Sequence, residues 1–63
     1  MEEQILQYIK DHPNSDGIDI TDGLGLSVVD VYPVLYRLQQ EAKIFKQYTG
    51  IRTYYEILVN PNS

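Results

Sequence analysis

Pro33 falls inside the run VYPVLYRLQQEAKI (residues 31–44), where Val31, Val34, Leu35 and Leu38 recur at the spacing of one helix face. Proline has no amide hydrogen, and its ring collides with the carbonyl four residues back. A helix therefore tolerates it in the first turn, where the missing donor has no intrahelical partner. The proline thus fixes where this helix begins. With Asp30 as N-cap it is the third helical residue, whereas a cap at Ser27 makes it delete a real hydrogen bond. The spacing predicts a helix over about 30–42, opened by Asp30 and ending near Ala42.

The elements on either side follow from the same logic. In EEQILQYIKD (residues 2–11), Ile5, Leu6 and Ile9 share a helical face, and two acids stand at the positive end of the helix dipole. HPNSDG then ends that helix with Pro13 and a cluster of turn formers. Ile20 and Leu24 predict a short second helix over 17–24, weakened by Gly17 and Gly23 and closed by Gly25. After the third helix, KIFKQYTGIRTYYEILV (residues 43–59) reads as two strands about a turn at Thr49-Gly50. Alternation assigns Tyr55 and Ile57 to the core and turns Arg52 and Tyr54 outward, with Val59 still in the strand. Three helices, a tight GLS link between the second and third, and a terminal hairpin make an α+β winged helix-turn-helix over residues 1–59. Residues 60–63 form a frayed tail.

Size and composition narrow the function classes. A chain of 63 residues without cysteine has room for one small core and offers neither a disulfide framework nor a thiolate metal site. No apolar run approaches the roughly 20 residues needed to span a bilayer, and no basic and apolar leader opens the chain, so the expectation is a cytoplasmic protein without a membrane role. The sole histidine, His12, has no catalytic partner set nearby in sequence. HPNSDG fails as a calcium loop because His12 and Gly23 occupy two of the principal carboxylate positions. No enzyme, cofactor or metal is expected. The net charge is −4, but it is unevenly spread. Residues 1–30 hold Glu2, Glu3, Asp11, Asp16, Asp19, Asp22 and Asp30 against Lys10, whereas residues 31–63 hold Arg37, Lys43, Lys46 and Arg52 against Glu41 and Glu56. Such asymmetry points to a nucleic-acid surface on the basic side.

YPVLYRLQQEAKI resembles the recognition-helix segment of the PadR-like transcriptional regulators, with its Tyr-Pro pair, an apolar residue, Arg-Leu and a polar run into the wing. GIDI at 17–20 is similar to that family's Gly-Tyr-Glu-Ile, and RTYYEI at 52–57 to its basic-x-Tyr-Tyr-x-Leu strand. The resemblance covers residues 13–58 and implies a DNA-binding transcriptional regulator. Ile18 replaces a tyrosine, Ala42 stands where a helix-ending glycine is usual, and the chain stops where such regulators continue into a dimerisation helix. VLYRL also resembles, more loosely, the Z-nucleic-acid-binding winged helices. Tyr32 stands where that family has an asparagine, and the wing has no proline pair, so that resemblance is set aside in favour of the PadR-like one.

The expected partner is double-stranded DNA. The third helix would enter a major groove with Ser27, Val29, Pro33, Tyr36, Arg37 and Gln40, while Lys46, Tyr48, Arg52 and Tyr54 carry the wing to the backbone. Arg37 has a structural alternative as the i,i+4 partner of Glu41, Tyr48 and Tyr54 as a cross-strand pair stiffening the wing, and Tyr32 as a ring packed beside the core. So few cations give a modest salt slope and weak binding, roughly 10⁻⁴–10⁻⁶ M per subunit, so useful specificity requires a homodimer on adjacent half-sites. The rival function is a winged-helix docking module whose acidic surface binds a protein partner.

Overall fold

The computed structural model describes residues 1–58; the expectations for Val59 and for the tail at 60–63 lie outside them. The chain forms α1 (Glu2–Asp11), α2 (Gly17–Leu24), α3 (Val28–Gln40), β1 (Ile44–Thr49) and β2 (Arg52–Ile57). One core joins all five elements: Ile5 and Ile9 from α1, Ile20 from α2, Val31, Leu35 and Leu38 from α3, Ile44 from β1 and Tyr55 from β2. Ile57, assigned to the core by alternation, is half-buried against its edge.

α2 survives its two glycines because its N-terminus is doubly satisfied. The Asp16 carboxylate accepts from the Asp19 amide at 2.8 Å, and Asp19 accepts in return from the Asp16 amide at 3.2 Å, a reciprocal capping box. Gly25, at φ 67°, closes the helix in the left-handed conformation that glycine adopts without strain.

α3 begins a turn earlier than its proline predicts. Ser27, not Asp30, is the N-cap: its hydroxyl accepts from the Val29 amide, and its carbonyl accepts from both Asp30 and Val31. Pro33 is then the sixth helical residue and does remove a helical hydrogen bond. The carbonyl left over belongs to Val29, which is 73% exposed, so water can take the proline's place. The far end stops short of Ala42. Gln40 is the last helical residue, and Ala42 sits at φ 59°. The Ala42 amide donates to the Gln39 carbonyl and the Lys43 amide to that of Leu38, a Schellman closure with alanine where glycine is usual.

β1 and β2 pair antiparallel from Ile44↔Ile57 to Thr49↔Arg52. This register leaves Gly50-Ile51 as the turn, one residue later than expected, with glycine first at φ 60° as type II′ hairpins require. It also separates the supposed aromatic pair, since Tyr48 faces Thr53 and Tyr54 faces Gln47. The loop before α2 docks on the far edge of the hairpin, where the Tyr55 amide donates to the Ser15 carbonyl at 3.0 Å. The buried Ser15 hydroxyl donates in turn to the His12 carbonyl at 2.6 Å, so the segment carries no unsatisfied side chain into the core.

Candidate nucleic-acid interface

The exposed side of α3 carries an aromatic and apolar stripe, with Asp30, Arg37 and Gln40 exposed as well. Val29 is 73% and Tyr36 66% exposed, with Tyr32 and Pro33 between them. The wing rises beside this face. At its base Ile44, Tyr55 and Ile57 enter the core, and further out the same ribbon face carries Lys46, Tyr48 and Thr53. Between helix and wing lies an open cleft of about 780 Å³, walled by Tyr32, Pro33, Tyr36 and Gln39 on one side and by Lys46 and Arg52 on the other.

Two packing details shape the cleft. Tyr32 lies with its ring edge on Gly17, in space that any side chain there would fill. Lys46 places its ammonium 5.8 Å from the centroid of Tyr55, within cation–π range. Burial pushes the Tyr55 phenol above its ordinary pKa, and the neighbouring Tyr32, Tyr48 and Asp16 add to the effect.

The charge asymmetry of the sequence does not become a bare basic face. Acidic first half and basic second half pair across the fold. Arg37 meets Glu2 at 3.1 Å, Lys43 meets the same carboxylate at 3.4 Å, and Arg52 meets Asp19 at 2.6 Å. Partial desolvation would raise the Glu2 pKa, but Lys43 and Arg37 together outweigh it and hold the carboxyl below the usual glutamate range. Glu2 in turn holds Lys43 above the usual lysine range. Glu41, the alternative partner considered for Arg37, instead approaches Lys43 at 3.5 Å.

The sequence-predicted site residues therefore divide. Pro33, Tyr36, Lys46 and Arg52 line the cleft; Val29 and Tyr48 are exposed beyond it. Ser27 serves as the helix cap. Arg37 is drawn toward α1 by Glu2, and Gln40 is exposed but outside the cleft wall. Tyr54 lies on the opposite face of the ribbon from Lys46 and Tyr48. Sequence reasoning missed Tyr32 and Gln39, which the cleft includes. The i,i+3 and i,i+4 spacing of Val29, Tyr32, Tyr36 and Gln39 carried that signal, and so did the bare Gly17 that seats the Tyr32 ring.

No protein-family model and no curated protein matches the sequence. Solved structures do. The apo Zalpha domain of zebrafish PKZ is 29% identical, with a TM-score of 0.86 over 92% of this chain and 91% of that one. The Zalpha domain of Carassius auratus PKZ, solved in complex with Z-DNA, is 21% identical, with a TM-score of 0.76 over 89% of each chain. The fold is a winged helix, as in these Zalpha domains. Both likenesses are to the Z-nucleic-acid-binding group that Tyr32 and the missing proline pair had set aside, and neither is to a PadR-like regulator, so the order of the two resemblances is reversed.

Proposed function

We propose that this chain binds double-stranded DNA through α3 and the wing, and that it reads the conformation of the backbone, with left-handed Z-form DNA as its ligand. The observation that carries this reading is Tyr36, two-thirds exposed at the centre of a helix face with few groups suited to reading bases. Base-specific readout in a major groove relies on Arg, Asn or Gln reaching base edges. Here Arg37 is turned aside, leaving Gln39 at the cleft and Gln40 beyond it. What the face does offer is an aromatic platform for an exposed sugar or base and phosphate donors in the Tyr36 hydroxyl, Lys46 and Arg52. Such groups follow the path of a backbone whatever its sequence. The likeness to a domain solved with Z-DNA supports the same choice of ligand.

A duplex of alternating dC and dG, followed by circular dichroism at low salt, tests it. Added protein inverts the sign of the long-wavelength band as the duplex turns left-handed. Loss of a stacking contact in Tyr36→Ala, worth about 1–3 kcal/mol per base, raises the protein concentration needed by roughly 5- to 150-fold. An unchanged spectrum at saturating protein refutes the Z-form reading. Tighter binding to a mixed-sequence right-handed duplex would instead favour the second reading, transcriptional control as the PadR-like resemblance implies, for which the exposed Gln40 on α3 is the structural support.

A further inference from the structure

We infer that Asp19 is a specificity-determining residue of this surface: it occupies Arg52 in place of a phosphate, so that only a backbone that brings a phosphate to the α2 side of the cleft, against Asp19, releases that cation. The inference rests on the α3–wing face being the DNA surface proposed above. Arg52 lines the cleft from the wing, and its Nη2 lies 2.6 Å from Asp19 Oδ2. The carboxylate is not free to drift. The same oxygen accepts from the Asp16 amide, and the Asp19 amide donates to the Asp16 carboxylate, so the capping box of α2 holds the acid against the wing. Both side chains of the pair remain about half exposed, which keeps the bond within reach of a competing anion. Lys46, by contrast, faces the cleft with no carboxylate partner among the described residues and is available at first encounter.

The consequence is an exchange. When a phosphate takes Arg52, it replaces one anion with another, and Asp19 is left beside the nucleic acid with its charge uncompensated. Arg52 then adds little net counterion release, and a strand that meets only Lys46 on β1 gains nothing from it. Removing the Asp19 charge abolishes this discrimination, so binding becomes tighter and less selective.

The test measures affinity for an alternating dC/dG duplex and for a mixed-sequence duplex across a salt series, using the full chain and its Asp19→Asn, Glu2→Gln, Arg52→Ala and Asp19→Asn/Arg52→Ala variants. Asparagine keeps an acceptor oxygen for the Asp16 amide, and a thermal melt confirms that α2 is intact. Asp19→Asn is expected to tighten binding at least about threefold at low salt and to steepen the log K against log [salt] slope by about 0.9, the value of one added phosphate contact. The larger gain falls on the mixed-sequence duplex. Glu2→Gln removes the same unit of charge but frees Arg37, which lies off the cleft, and leaves the slope unchanged. With Arg52 replaced by alanine, the Asp19 substitution loses its effect on slope. Equal gains from Asp19→Asn and Glu2→Gln, or an unchanged slope in Asp19→Asn, overturn the inference while leaving the DNA surface standing. No binding by the unsubstituted chain to either duplex overturns both.

Discussion

Ala42 carries a backbone conformation that its side chain opposes, and relieving it should stabilise the domain. At φ 59° it takes the left-handed conformation, which costs an L-residue with a Cβ about 1–2 kcal/mol. Glycine avoids that cost but loses more freedom on folding, by roughly 0.5–1 kcal/mol relative to alanine. The exposed methyl buries little, so the difference for Ala42→Gly is a gain of about 0.5–1 kcal/mol. In a domain of this size each kcal/mol shifts Tm by about 4–8 °C, which puts the variant roughly 2–8 °C higher. Thermal and urea unfolding followed by circular dichroism measure it, with an unchanged m-value showing that the same surface is exposed on unfolding. Gly25 provides the mirror experiment. Its φ is +67°, and a Cβ there meets nothing within 4 Å, so Gly25→Ala should lose a similar amount through the backbone alone. A neutral or destabilising Ala42→Gly alongside a destabilising Gly25→Ala would refute the assignment of strain to the α3 terminus.

Leu38 is fully buried, and Leu38→Ala should cost about 2–5 kcal/mol, against the ~3–5 kcal/mol expected of so small a core; the variant should lose its cooperative thermal transition. The Glu2 carboxyl, with a folded-state pKa below its unfolded value, contributes stability that is present above the unfolded pKa and lost as pH falls through the folded one. Glu2→Gln should therefore flatten the acid limb of the stability–pH profile, measured by urea unfolding across the acidic range. A methyl at Gly17 runs into the Tyr32 ring, so Gly17→Ala should swing that ring out of its seat, shift its proton resonances and weaken duplex binding by roughly threefold or more, about 0.7 kcal/mol or more.

The helices were legible where apolar spacing and turn chemistry agreed. α1 and α2 match their expected ranges because Pro13 and Gly25 punctuate them cleanly. α3 was misread at both ends for one reason: a local rule gave way to a compensation that the rule does not contain. Water can satisfy the carbonyl that Pro33 abandons, and a Schellman closure accommodates an alanine in glycine's conformation. The Asp16-x-x-Asp19 capping box was written in the sequence and explains why α2 tolerates its glycines. The wing's strands were visible in their alternation, but its register depended on which residue of Thr49-Gly50-Ile51 took the first turn position. The site was less legible than the fold. Tyr36, Pro33, Lys46 and Arg52 were found from helical and strand faces. The fate of the cations was not, because Arg37–Glu2 and Arg52–Asp19 join residues more than thirty positions apart, and only the fold brings them together.

α3 and the wing together form the DNA-binding surface proposed above. An amide chemical-shift titration of the labelled protein with duplex DNA tests it most directly, first at about 50 mM salt and then at about 200 mM, where a phosphate-driven contact weakens clearly. Shifts are expected to cluster on Val29 to Gln40 of α3 and on Lys46 to Thr53 of the wing, fading at the higher salt. Shifts centred on α1, or no shifts at either salt, would contradict it and turn the search toward a protein partner for the acidic surface.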